Sequence, residues 1–272
     1  MKRELKDAAN AVEDASNSRA LVIAARAGFA VSGLLHLLIG FVAIQLALGE
    51  AGQADQAGAV AQLAAQPQGL LLLWTGFAAC AALALWQTSD AVFDYGQLEA
   101  RKKAGKKLYA AGKAVVFAVM ALTFAASASG NSKNSGQSTS DFTVSIMKAP
   151  AGSVLLIAIG ASIGVAGIVF VVLGVKRSFK KDLRLPSSGT ARSVVTGLGV
   201  VGYVAEGIAL FLVGLLFIIA TANAHPQEST GLDGGLKALR EQPYGVYMLT
   251  AVGAGLICYG LYLMVKAKFA RM

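Results

Sequence analysis

Charge is what this sequence is short of. Only 14% of its 272 residues are Asp, Glu, Lys or Arg, against about 25% in a soluble domain. That is too little to cover a water-facing surface of this size. Histidine and cysteine are nearly absent, with two of each. Cys80 and Cys258 both fall inside apolar runs, where a thiol reads as a small packing residue rather than half of a disulfide or a metal pair. There is no Gly-rich phosphate loop ending in Lys-Ser/Thr, no His-Glu-x-x-His, no Gly-x-Ser-x-Gly and no Cys/His set at zinc spacing. No cofactor, metal or enzymatic activity is expected. No short apolar stretch with a cleavage site follows the basic start at Lys2, Arg3 and Lys6, so no cleaved leader is expected either.

What the chain has in quantity is apolar length. It is 56% hydrophobic, with a mean hydropathy of +0.61. The clearest run, 197–222, carries one charge, Glu206. A helix needs roughly 20 apolar residues to cross a bilayer core. Five further runs qualify, at 27–48, 69–92, 108–129, 151–175 and 245–265. Continuous runs of this length mean helices, because lipid cannot satisfy exposed backbone groups. Residues 1–25 are charged and Ala-rich, with a weak helical stripe of Leu5, Ala8, Ala9, Val12 and Ala15 that fits a surface helix or a solvated tail.

The net charge of +9 is unevenly spread. Twenty of the 24 Lys and Arg residues lie in the N-terminal tail, the 93–113 and 176–196 regions and the C-terminal tail; Lys133, Lys148, Lys237 and Arg240 lie in the alternate connections. By the positive-inside rule both termini are cytoplasmic. The same asymmetry accounts for the basic balance through contact with anionic lipid head groups. No nucleic-acid partner is expected, and other membrane proteins are.

The sequence repeats itself. Three copies run at 26–95, 107–183 and 197–272, joined by the basic linkers 96–106 and 184–196. Gly28-Phe29 with Gly33 and Gly40 matches Gly202-Tyr203 with Gly207 and Gly214; the second copy keeps Tyr109 and Gly112. Before each even span stands Pro-x-Gly, at Pro67–Gly69, Pro150–Gly152 and Pro243–Gly245, with Leu63, Ile146 or Leu239 four positions before the proline. Each motif predicts a short interfacial helix and a sharp turn into the span, with Asp141 and Asp233 placed to cap those helices. Because each copy holds two spans, the copies are parallel, related by an axis along the membrane normal. The fold class expected is an all-α polytopic membrane protein, six transmembrane helices as three parallel two-helix repeats with pseudo-threefold arrangement.

These copies, the Gly-aromatic pattern, the Pro-x-Gly turn and the closing LICYGLYLMVKAKFARM resemble the bacterial membrane family catalogued as domain of unknown function 1206. The resemblance covers nearly the whole chain after residue 25 and implies the three-repeat, six-span layout. It brings no assigned activity and so no functional residue. Where that family's pattern often has a basic residue before the odd-span glycine, this chain has Ser32 and Glu206.

Ionisable groups within spans are functional candidates by default. His36, Glu206 and Lys113 all lie on odd spans, and the repeat alignment puts Glu206 level with Ser32, one turn from His36. The reading is a polar cluster of Glu206, His36, Lys113 and Ser32 able to pass protons or bind an ion. The plainer readings are that Lys113 snorkels to the surface, that His36 bonds a backbone carbonyl or Ser32, and that Glu206 ties two helices together. Gly197-x-Gly199-x-x-Gly202 matches a dinucleotide fingerprint but opens a membrane helix, so close helix contact explains it better. Trp74, Tyr244 and Tyr247 at one interface, and Tyr95, Tyr109 and Tyr262 at the other, fit an aromatic belt. Asp90 and Asp94 fit a surface ion pair. The function expected is a small transporter or proton/ion-conducting bundle; the alternative is a non-transporting accessory or scaffold subunit.

Overall fold

The computed structural model describes residues 19–93, 100–131, 135–183, 189–225, 228 and 230–270. The stripe at Leu5–Ala15, Asp94 and Tyr95 lie outside the described residues, as do the side chains of Asp90 and Tyr109. Among the described residues there are nine α-helices: α1 (Arg19–Ala47), α2 (Gln56–Ala64), α3 (Gly69–Phe93), α4 (Ala100–Ala128), α5 (Ser135–Met147), α6 (Gly152–Val175), α7 (Gly189–Ala222), α8 (Gly231–Arg240) and α9 (Gly245–Phe269). A single 3-10 turn, Ser178–Asp182, follows α6. Six of the helices are long and apolar enough to cross a bilayer, over Arg26–Ala47, Gly69–Ser89, Ala110–Ala128, Gly152–Val175, Gly189–Ala222 and Gly245–Phe269. α1 and α4 begin before their apolar stretches, at Arg19 and Ala100 against Arg26 and Ala110, because Ala, Lys and Arg are good helix formers and carry the helix on past the bilayer core.

The order long helix, short helix, long helix occurs three times, and the backbone repeats it bond for bond. α1, α4 and α7 each end in a Schellman cap. Glu50, Asn131 and His225 donate their N–H groups to the carbonyls of Gln45, Ala126 and Ala220, while Gly49, Gly130 and Ala224 donate to Leu46, Ser127 and Thr221. The last three all have positive φ (99, 74 and 56°). Each Pro-x-Gly closes the same turn: Gly69, Gly152 and Gly245 donate to Gln66, Ala149 and Gln242 at 2.8, 2.9 and 2.7 Å. A Cβ on any of these three glycines would strike the carbonyl of Leu63, Ile146 or Leu239, the aliphatic residue next to last in the short helix.

The two acids expected to cap short helices do something else. Asp141 sits mid-helix and exposed, because α5 starts six residues earlier than the motif implied. Asp233 lies inside α8 and turns its carboxylate outward from that helix. It accepts from the Ala54 N–H at 2.8 Å and from Lys237 at 2.6 Å. The neighbouring Asp55 is the genuine cap, accepting from the Gly58 N–H of α2 at 2.8 Å. Both carboxylates are buried, at 4% and 8% exposure, and both are satisfied.

The described residues fall into two compact units, those within Met1–Val31 and Leu63–Asn131, and those within Ser32–Gln62 and Ser132–Arg271. In the first, α3 packs along α4, and Gly28 of α1 admits the Leu83 side chain. In the second, α7 packs against both α6 and α9. There the part of α1 from Ser32 onward packs on α9. The buried face of α6 is Gly152, Leu156, Gly160, Gly164, Gly167 and Gly174, while Val154, Leu155, Val165, Ile168, Val169 and Val172 are exposed. Small residues inside and large apolar ones outside is the arrangement lipid selects.

Candidate functional site

The second unit brings two of the expected polar residues together. His36 lies on α1 and Glu206 on α7, each near the middle of its apolar stretch. His36 Nε2 stands 3.5 Å from Glu206 Oε2, with side-chain exposures of 12% and 17%. His36 Nδ1 is 2.7 Å from the backbone oxygen of Ser32, one turn earlier. Ser32 therefore contributes its carbonyl. Lys113 lies half-buried on α4 in the first unit, whereas the pair is built wholly within the second.

The bond to Ser32 constrains the chemistry. A carbonyl oxygen only accepts, so Nδ1 carries a hydrogen and donates it. That leaves Nε2 and Glu206 Oε2 facing each other at 3.5 Å, a ring nitrogen and a carboxyl oxygen between which a proton can be shared.

Around this pair the sequence reading missed an aromatic cluster. The Tyr259 ring meets the His36 ring edge-on, with centroids 5.0 Å apart. Tyr203 lies 5.4 Å from both Tyr259 and Tyr262 and stacks on Phe179 at 5.2 Å. Phe170 is 5.5 Å from Tyr203. Tyr262, placed in the aromatic belt from its position near the end of α9, is instead fully buried. The 3-10 turn after α6 swings Phe179 over it, at 5.2 Å. Trp74, Tyr244 and Tyr247 are exposed, as a belt requires. A signal for the cluster existed in the spacing Tyr259-x-x-Tyr262, one face of a helix.

The Gly197–Gly202 fingerprint lies inside α7, with no strand before it. A Cβ on Gly199 would strike the Phe179 ring, and one on Gly202 would lie 2.5 Å from Tyr259 Cα. These glycines seat the aromatic cluster. Cys80 and Cys258 are free thiols. No group of three or more His, Cys, Asp or Glu able to hold a metal occurs among the described residues. Two open clefts of about 420 Å³ lie in the second unit, and neither is lined by His36 or Glu206.

Six apolar spans, three repeats and an ionisable pair within the spans define a polytopic helical membrane protein. The model of the family Domain of Unknown Function (DUF1206) matches three times, at 27–94, 109–177 and 201–270, and the chain belongs to that family. It is similar to the uncharacterized protein YxxB of Bacillus subtilis (strain 168), 26% identical over 249 residues that cover 91% of this chain and 90% of that protein. No solved structure matches.

Proposed function

We propose that this protein is a small proton-handling transporter or proton-conducting bundle of the bacterial plasma membrane, with both termini cytoplasmic. The observation that carries the reading is the His36–Glu206 contact at 3.5 Å, mid-span and mostly buried. An ionisable group at the bilayer centre costs about 3 kcal/mol or more, and helix packing alone needs neither residue. A proton moves by exchange between hydrogen-bonded atoms and needs no pore of its own.

The test is flux. Full-length chain in liposomes with an internal pH dye and an imposed potential should acidify or alkalinise the lumen faster than empty vesicles. Glu206→Gln keeps the hydrogen bond to the ring but cannot exchange a proton, and should abolish the flux while leaving the melting temperature near wild type. Equal flux in wild type and Glu206→Gln, or none in either, would overturn the reading. Absent flux, with Glu206→Gln stable and Glu206→Ala unfolded, would leave a tie between helices and the accessory or scaffold role.

A further inference from the structure

The charged groups that the pair does not use gather at the end of α6. A cleft there of about 420 Å³ is lined by Arg177, Lys180, Arg192, Ser193, Thr196 and, toward the span, Gly197, Val200 and Val201. Three cations and two hydroxyl side chains line it, and no carboxylate is among the described lining residues. Gly197, Val200 and Val201 are its apolar lining, and Val201 is exposed on the flank of α7.

Arg177 holds an unusual place in this cleft. It is the residue just past the end of α6, and its N–H donates to the Gly174 carbonyl at 3.0 Å. Its φ of 55° and ψ of 29° are left-handed, a conformation that helix ends normally give to glycine. An arginine there costs stability that glycine would not. The α6 carbonyls at this end already favour a cation nearby, but Lys176, one residue earlier in ordinary geometry, supplies that. Ala151, Ala224 and Tyr244 are left-handed too, so it is the charge gathered in the cleft, not the backbone of Arg177, that points to a ligand.

We infer that this cleft binds a phosphate ester, held by Arg177, Lys180 and Arg192 with the Ser193 hydroxyl beside it; the Thr196 hydroxyl donates instead to the Arg192 carbonyl at 2.7 Å. Arginine forks match phosphate oxygens in pairs. The apolar lining of Val200 and Val201 suits the acyl chain of an anionic phospholipid, though a free phosphate would use the same cations. The inference does not depend on proton transport.

The experiment is a titration of the full chain in detergent with phosphatidylglycerol, phosphatidylcholine and inorganic phosphate, read by native mass spectrometry and thermal unfolding. Saturable binding of one phosphatidylglycerol per chain is expected, with none of phosphatidylcholine. Arg177→Gly and Arg192→Gln should each weaken it about fivefold. Lys268→Gln removes a cation near the same end of the unit, where Leu183 bridges to Ala270, and should have under half that effect. Arg177→Gly should raise the ligand-free melting temperature, which separates lost binding from lost folding. Inorganic phosphate binding with the same variant dependence, in place of the lipid, would identify a soluble ligand for the same groups. Binding untouched by Arg177→Gly and Arg192→Gln, equal sensitivity to Lys268→Gln, or no binding of either phosphate species would overturn the site.

Discussion

The helix seams of the second unit and the seam of the first are built on opposite plans. Between α6 and α7, glycine meets glycine. A Cβ on Gly207 would lie 2.6 Å from the Gly167 oxygen, and one on Gly214 2.5 Å from that of Gly160. Between α1 and α9 the pattern recurs, with Gly33 against Gly260 at 2.8 Å and Gly40 against Gly253 at 2.6 Å. Each pair is reciprocal and seven residues, two turns, from the next. Among the described residues the α3/α4 seam has no such ladder. There Gly76 faces the ring of Phe124, which is fully buried. In lipid, helices associate through packing rather than escape from water, so a seam gains by letting backbones approach or by filling the gap with a ring. The obstacle behind each glycine then differs: a carbonyl fixed in a helix, or a side chain that can turn.

That contrast can be broken experimentally. The largest effect is expected at Gly214→Ala, where the methyl meets the Gly160 carbonyl and only the helices can yield; about 3 kcal/mol should be lost, seen as a fall in melting temperature in detergent. Gly33→Ala should behave alike in the α1/α9 seam. Gly76→Ala should cost less, about 1 kcal/mol, because the Phe124 ring can move, and Phe124→Leu in the same chain should recover part of it. If Gly76→Ala proves as costly as Gly214→Ala, or no repacking rescues it, the distinction fails. At the small end, Ala224 occupies the left-handed cap position that Gly49 and Gly130 hold in the other repeats. Ala224→Gly should stabilise by about 1 kcal/mol. Gly112 meets nothing within 4 Å, so Gly112→Ala should gain a similar amount through helix propensity.

Much of this was legible in the chain. Repeat alignment found Gly33, Gly40, Gly207 and Gly214, and the apolar runs found all six long helices, since both signals are local and periodic. Which even helix supplies each glycine's partner was not legible, because pairing is a property of packing across the chain. The alignment placed Glu206 near the level of His36 but could not show that the two side chains meet. Tyr262 was misread because distance along a helix says how near an end lies, not which side faces inward. Asp233 was misread for a related reason: its partner, Ala54, is 179 residues away, and no local capping rule reaches that far.

The α1/α9 seam sets an order of events during synthesis. The glycine face of α1 is synthesised long before its matching surface on α9, since Gly33 and Gly40 precede Gly253 and Gly260 in the chain. Until α9 arrives, Gly33 and Gly40 lack that partner and lipid or another helix must cover their face. Truncating the gene after α8 would make that waiting state permanent, and supplying α9 as a separate peptide is the direct way to end it.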